Sequence, residues 1–437
     1  MKYPSVPLNQ NDNGWLIDHQ QTTRYPVLVG NQTADWVVVG SGFAGVSFAR
    51  RLACLNPELK IILIDANGAA ESSSARNSGF IIGLPHNIGS STAELKKAQG
   101  YRSLLQAGIN QLSTLIGQHQ IVCQWENIGK YHCQVSSSNQ RILKEYCDHL
   151  SMMEEPYQLL QQDELEQKLA TRFYRQGIYT PNTILVNPAS LIIGLVDHLP
   201  QNVTVYNHSP VMEINYGNNI QVRTPYGTLI TGNIMLATNA LSRELLPATS
   251  RQAAMATFAS ITAPLTAEQR QRLPEMSSWG LTPVNAIAGA TLRYTPDHRF
   301  LIRQHVIPAL NGAVTAAQTY QATEQHRRLF NKIYPQLNDV PVLRTWSGTI
   351  SVTRNGAPVW GKLKKGVYTA GGCNGAGIAK QTIAGSLLAD YALSQHHPLI
   401  GAMLELGHAN YLPPSPLLDV AIKLSLAKER FLGRSEG

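Results

Sequence analysis

The run Trp36-Val37-Val38-Val39-Gly40-Ser41-Gly42-Phe43-Ala44-Gly45 decides how this chain is read. Its four apolar, mostly β-branched residues have the pattern of a strand buried on both faces. Gly40, Gly42 and Gly45 follow in G-x-G-x-x-G spacing, and Val46 to Ala53 continues as a helix with an apolar face. Ile61-Ile62-Leu63-Ile64 is a second buried strand, ending at Asp65, 20 residues beyond Gly45. Strand, glycine turn, helix, strand and acid in that order form the context a dinucleotide-binding unit requires. Gly40 permits the tight turn, Gly42 lets a pyrophosphate approach the backbone, and Gly45 lets helix and strand pack closely. The helix N-terminus offers unpaired N–H groups to phosphate, and Asp65 stands where an acid bonds a ribose hydroxyl. Phe43, Ala44 and Ala66 are counted with these cofactor-binding residues. A βαβ unit that binds nothing is the competing reading; strand, spacing and acid together weigh against it.

Around that unit lie 437 residues, room for two or three domains. Hydrophobic residues make up 43% and charged residues 15%, which excludes a disordered chain. The net charge is +8, but the basic residues are scattered and not interleaved with aromatics, so no nucleic-acid surface is expected. Cys54, Cys123, Cys133, Cys147 and Cys373 form no C-x-x-C, which argues against zinc and redox motifs and for free thiols in a reducing cytoplasm. Residues 1–31 are polar, and no stretch approaches the roughly 20 apolar residues of a membrane span. A cytoplasmic protein is the expectation.

Further along, residues 1–34 read as an irregular arm. Residues 92–178 are mostly helical in pattern, with Leu104, Leu105, Ile109, Leu112 and Ile116 at helix spacing. Asn187-Pro188 caps another helix. Short runs at 203–206, 211–214, 221–223 and 234–236 read as strands. Residues 289–303 read as a hairpin turning at Pro296-Asp297. The tail after Pro413-Pro414 carries an amphipathic helix over 417–434. Packing on the protein body is the preferred reading of its apolar face; the sharper one is a foot on the inner face of an anionic membrane.

A second small-residue loop, Ser74-Ala75-Arg76-Asn77-Ser78-Gly79-Phe80, follows the second strand. Ala237-Thr238-Asn239-Ala240 and Gly371-Gly372-Cys373-Asn374-Gly375-Ala376-Gly377 come much later, the last before a helix. In this order the chain resembles FAD-dependent oxidoreductases of the D-amino-acid oxidase superfamily. Within it, the glycine/sarcosine oxidase branch and gamma-glutamylputrescine oxidase-like members are most similar. The resemblance implies an α/β fold: an FAD-binding Rossmann-like domain (35–91, 185–245 and 346–400) interleaved with a mixed α+β substrate or cap domain (92–184 and 246–345), then a tail over 401–437. It implies non-covalent FAD. The pyrophosphate turn and Asp65 are joined by Arg76, Asn77, Ser78 and Gly79 along the flavin, Val211 near the adenine, and Thr238 and Asn239 returning to the dinucleotide. Gly372, Asn374, Gly375, Gly377 and Ile378 form the turn facing the flavin ring.

The chain departs from that family in places. Ala376 stands where many relatives carry His. Ala379 stands where sarcosine oxidases place a substrate-binding Lys, with Lys380 one position later and about 100° round the helix. Sarcosine itself is therefore not the expected substrate. The resemblance implies oxidation of an amine or amino acid by hydride transfer to the flavin, with oxygen as acceptor. Three alternatives stay open: a dehydrogenase passing electrons to a quinone or carrier, an NADPH-dependent monooxygenase, and a non-catalytic FAD-binding subunit. His86, Arg293, Tyr294 and Trp346 are the candidates at the substrate. An Arg suits a carboxylate because it can bind it through two hydrogen bonds. Arg299 reads as a solvated turn charge.

Overall fold

The computed structural model describes residues 12–18, 25–85, 92–246, 250–309, 313–414 and 416–436. Two eight-stranded sheets organise them. The first runs Val359–Lys364, Val367–Gly371, Gly227–Leu236, Gly30–Val39, Ile61–Ile64, Val203–Tyr206. Its last five strands are parallel. Ile220–Arg223 and Glu213–Tyr216 hang as an antiparallel ribbon from Gly227–Leu236. Val37, Val38, Ile61, Ile62, Leu63 and Ile64 have no solvent exposure, as a doubly covered parallel sheet demands.

The helices Phe43–Leu55, Ile378–Ala392 and Thr92–His119 pack successively over one face. Arg51 reaches Asp390 at 2.8 Å, and Trp360 Nε1 donates to Ala384 O at 2.8 Å.

The second sheet is antiparallel except at one join. Its order is Val342–Val352, Ala253–Thr262, Phe300–Pro308, Thr291–Tyr294, Trp279–Pro283, Lys130–Gln134, Gln176–Thr180, Gln158–Gln161. Trp279–Pro283 and Lys130–Gln134 pair in parallel. The hairpin expected at Pro296-Asp297 is Thr291–Tyr294 against Phe300–Pro308. The helical reading of 92–178 misses three strands of this sheet, Lys130–Gln134, Gln158–Gln161 and Gln176–Thr180. Strand Val342–Val352 crosses the expected boundary at residue 346 and pairs along its length with the second sheet.

Helix Ala316–Ile333 covers one face of this sheet through Leu329, Phe330 and Ile333. The opposite face joins the first domain: Ala259, Ile261, Leu301 and Trp346 share one core with Val38, Leu63 and Ile378.

Segments near both ends of the chain are anchored. Asn13 Nδ2 donates to Ala75 O at 3.0 Å, and Trp15 Nε1 to Asn77 O at 2.8 Å. Asp18 pairs with Arg299 at 2.7 Å, and Asp12 pairs with Arg344. This part of the arm is therefore a buried clasp between the sheets. Arg299 is buried as its partner, held by Asp297 and Asp18, and is not the solvated charge its turn position suggests.

The tail helix is Leu417–Leu432. Leu426 packs with Met255 and Val306 of the second sheet, alongside Ile422. Arg430 Nη2 donates to Val306 O at 2.6 Å. Beyond the helix, the Glu436 carboxylate accepts from Val135 N at 3.0 Å.

Candidate active site

A cavity of about 940 Å³ lies between the two sheets. Its first wall is the glycine turn. Gly40 has φ +108°, a conformation that disfavours side chains, and a Cβ at Gly45 would stand 1.9 Å from Gly40 O. Gly42, Phe43 and Ala44 line the cavity where helix Phe43–Leu55 begins; the N-cap residue Gly42 has no side chain to cap it, and Ser74 Oγ accepts from Phe43 N at 3.2 Å. Gly375, Gly377 and Ile378 line it where helix Ile378–Ala392 begins, again without a side-chain cap. Two helix N-termini thus present N–H groups and positive dipole ends to one space.

Asp65 and Ala66 line the same wall. The Asp65 carboxylate is occupied in shaping the turn. It accepts from Ser41 N at 2.8 Å, Ser41 Oγ at 2.9 Å, Asn67 N at 3.0 Å and Gly68 N at 2.9 Å.

Asn77, Ser78, Val211, Thr238, Asn239 and Asn374 also reach the cavity. Thr238 Oγ1 and Gln381 Nε2 are buried at its wall with no hydrogen-bond partner in the protein. Such orphans cost free energy unless a bound group satisfies them. Helix N-termini, close-packed glycines and orphaned polar atoms together fit a dinucleotide cofactor.

Gly45, Arg76, Gly79 and Gly372 stand behind this wall. Arg76 pairs with Glu71, and its own carbonyl accepts from Trp346 Nε1 at 3.0 Å. Gly79 has φ +76°, and a Cβ there would meet Arg293 Nη1 at 2.2 Å. Gly372 N donates to Gln252 Oε1, and its carbonyl accepts from Lys380 Nζ at 3.1 Å. Lys380 therefore turns back to brace the 371–377 turn.

Of the expected substrate residues, Arg293, Tyr294 and Trp346 do not line the cavity. Arg293 is wholly buried beneath the 76–79 loop, its Nη1 donating to Val186 O at 2.6 Å and Ser78 O at 3.1 Å. Burial pushes its guanidinium down to about 10. Tyr294 belongs to the core of the second sheet and bonds His298 at 2.9 Å. Trp346 is fully buried against Gly14 of the arm. His86 lies outside the described residues.

In their place the second sheet presents Lys130, His132, Thr282, Thr291 and Arg303. Thr282 stands opposite His132, and Thr291 opposite Arg303, so these side chains share one face. Sequence reading names Arg303 beside Arg293 and Arg299 as an arginine for a carboxylate but favours Arg293, and it misses Lys130 and His132. Their signal, alternation along KYHCQ, is masked by polar residues on both faces.

Helix Gln140–Met152 adds Glu145, Tyr146 and His149 to the wall, and the tail helix adds Ile422, Ser425, Leu426 and Glu429. Among the lining carboxylates, Glu71 and Glu145 are held in ion pairs by Arg76 and Arg141. Lys130, Arg303 and Glu429 have no ion pair among the described residues.

The family described as FAD dependent oxidoreductase (DAO) matches residues 35–391. A probable oxidoreductase of Haemophilus influenzae is 23% identical over 406 residues, covering 87% of each chain. The gamma-glutamylputrescine oxidoreductase of Escherichia coli is 23% identical over 372 residues, covering 82% of this chain and 83% of that protein. The crystal structure of glycine oxidase from Geobacillus kaustophilus superposes with a TM-score of 0.68 at 17% identity, covering 84% of this chain and 96% of that one. By the span of that family match, the chain belongs to the DAO family of FAD-dependent oxidoreductases.

Proposed function

We propose that the protein oxidises the C–N bond of an amino acid, with oxygen as the final acceptor and FAD held non-covalently. The observation that carries this reading is Arg303. It offers a guanidinium to the cavity from the second sheet, with Nη1 on Ala286 O at 3.2 Å and no carboxylate partner among the described residues. A guanidinium so placed suits a substrate carboxylate. Glu429 belongs to the same corner, its carbonyl accepting from Asn285 Nδ2 at 3.4 Å.

Bound against the glycine turns, FAD supplies a two-electron acceptor for hydride. Gly40, Gly42, Phe43 and Ala44 would hold its pyrophosphate, with Asp65 shaping the turn beside it, and Val211, Thr238 and Asn239 its adenine side. Asn77, Ser78, Asn374, Gly375, Gly377 and Ile378 would meet the flavin. The chain's own task is then positioning: Arg303 fixes the carboxylate so that the α-carbon faces the flavin with its amine neutral. A substrate so held would give up its hydride to the cofactor as the nitrogen lone pair forms C=N, and water would hydrolyse the imine to a carbonyl and free amine.

The test is the anaerobic visible spectrum of the purified protein while amino acids and simple amines are added, followed by air. Bleaching by amino acids and rapid recolouring is the expected result. Arg303→Met should raise KM for the bleaching amino acid about 10- to 100-fold, the scale of one charged hydrogen-bonded pair. Bleaching by NADPH alone would overturn this reading in favour of a monooxygenase.

A second reading concerns where the enzyme works. Leu417, Val420, Leu424 and Phe431 are 54–66% exposed on the side of the tail helix away from the sheet. Lys423, Lys428 and Arg434 are exposed on the same helix and just beyond it. No helix among the described residues is long and apolar enough to cross a membrane. An apolar stripe flanked by basic residues supports shallow contact with an anionic bilayer. Deleting the helix would also open the cavity it walls, so the sharper variant is Leu417→Glu/Leu424→Glu/Phe431→Glu. Cosedimentation with vesicles containing phosphatidylserine should fall to background while activity in solution is kept; equal sedimentation of both proteins would remove the reading.

A further inference from the structure

Three strands across the second sheet from Arg303, the cavity wall is built around a lysine with little to hold it. Lys130 is 1% exposed, yet it lines the cavity. Its Nζ has one partner, Thr282 Oγ1 at 3.4 Å, and no carboxylate within ion-pair distance among the described residues. Burying an unpaired ammonium is unfavourable, and the burial pushes this one down to about 8.

Its neighbours are donors as well. His132 Nδ1 lies 3.0 Å from Thr282 Oγ1, and the His132 ring stands 4.9 Å from that of Tyr146. The Tyr146 hydroxyl is buried with no hydrogen-bond partner. Glu145, the nearest lining carboxylate in sequence, is turned to Arg141 at 2.8 Å. An ammonium with spare donors and an idle hydroxyl, enclosed beside each other, form the donor set for a carboxylate.

We propose that the substrate carries a second carboxylate and that Lys130 and Tyr146 seat it. The inference rests on the amino-acid reading and narrows it to dicarboxylic substrates: an acidic amino acid, or one whose nitrogen bears a carboxyalkyl group. Three strand spacings separate the strand of Lys130 from that of Arg303, about 14 Å between backbones. Two long side chains reaching inward close much of that span. The α-carboxylate then lies at Arg303 and the distal one at Lys130, with the reacting carbon between them.

The experiment titrates the visible spectrum of the purified holoprotein with glutarate and with butyrate, neither of which can be oxidised at a C–N bond. Glutarate should bind about 10- to 100-fold more tightly than butyrate, the scale of a charge-assisted pair. Lys130→Met should abolish that preference and leave butyrate binding unchanged, and Tyr146→Phe should weaken glutarate alone by a smaller factor. Should Lys130→Met lose its flavin, Tyr146→Phe carries the comparison. Equal binding of the two probes to the native protein, or a glutarate affinity that neither substitution moves, overturns the proposal. If no amino acid bleaches the flavin while glutarate is still preferred, the oxidase reading fails and the distal subsite stands.

Discussion

A Gly45→Ala protein is expected to be recovered colourless and markedly less stable. The added carbon would stand 1.9 Å from Gly40 O and 3.1 Å from Ala237 Cβ. The first of these is backbone, and Gly40 is itself fixed by its donor bond to Ile64 O at 2.8 Å. Relief therefore requires helix Phe43–Leu55 to lift from strand Gly30–Val39. Overpacking of this kind costs about 1–3 kcal/mol and sometimes more, against a total stability on the order of 5–15 kcal/mol. Because the collision is inside the turn, the N–H groups of Phe43 and Ala44 lose their aim as well. The ratio of flavin to protein absorbance and the unfolding temperature measure the two effects. Gly401→Ala is the control: nothing lies within 4 Å of its added carbon, and in helix Leu399–Glu405 the change should be neutral or stabilising. Native colour and unfolding temperature in Gly45→Ala would refute this account of the turn.

Arg293→Met should separate structure from catalysis. Met keeps most of the volume and removes the charge. Val186, Ser78 and Gly79 lose the Nη1 donor they share, and the guanidinium no longer lies 5.0 Å from the Trp15 ring. A hydrogen bond from a charged group is worth about 1.5–3 kcal/mol, so the unfolding temperature should drop by several degrees. Ser78 and Asn77 belong to the loop on the cavity wall, so flavin retention should fall too. KM measured on the flavin-loaded fraction should stay within about twofold of native, since no transition-state or ground-state contact is removed. Arg303→Met should show the reverse, with KM raised and stability spared. A raised KM in Arg293→Met with unchanged flavin content would return Arg293 to the substrate.

The contrast between these two arginines marks what the sequence could reveal. They occupy the same face of adjacent strands, since Arg293 is opposite Leu301 and Arg303 opposite Thr291. Either could bind a carboxylate, and the sequence favours Arg293 because it precedes the turn. What separates them is distance along the sheet: Arg293 falls under the 76–79 loop, Arg303 beyond it. That depends on how two sheets dock, which no local pattern encodes.

The glycine turns were legible for the opposite reason. Gly40, Gly45, Gly372 and Gly375 answer local steric demands, and those demands are visible in the order of residues. The strands Lys130–Gln134, Gln158–Gln161 and Gln176–Thr180 were hidden because KYHCQ, QLLQ and QGIYT are polar and lie among helical segments. Only pairing with Trp279–Pro283 makes Lys130–Gln134 part of a cavity wall. The tail was readable as an amphipathic helix, but its face on Met255 and Val306, and so its place at the cavity, was not.

The parallel core of the first sheet has a consequence for how the protein is made. Its neighbouring strands Gly30–Val39, Gly227–Leu236 and Val367–Gly371 come from the beginning, middle and end of the chain. From Val39 to Gly371 is 371 − 39 = 332 residues, which a ribosome adds in roughly 15–70 s at about 5–20 residues per second. Through that interval the nascent first strand has no completed sheet to join, and its apolar residues are open to chaperones and to aggregation. The turn before helix Ile378–Ala392 emerges later still, so under the proposed site FAD capture waits until that turn has been made. Growth at low temperature, where translation and aggregation both slow, should therefore raise the yield of yellow protein more than an excess of riboflavin does.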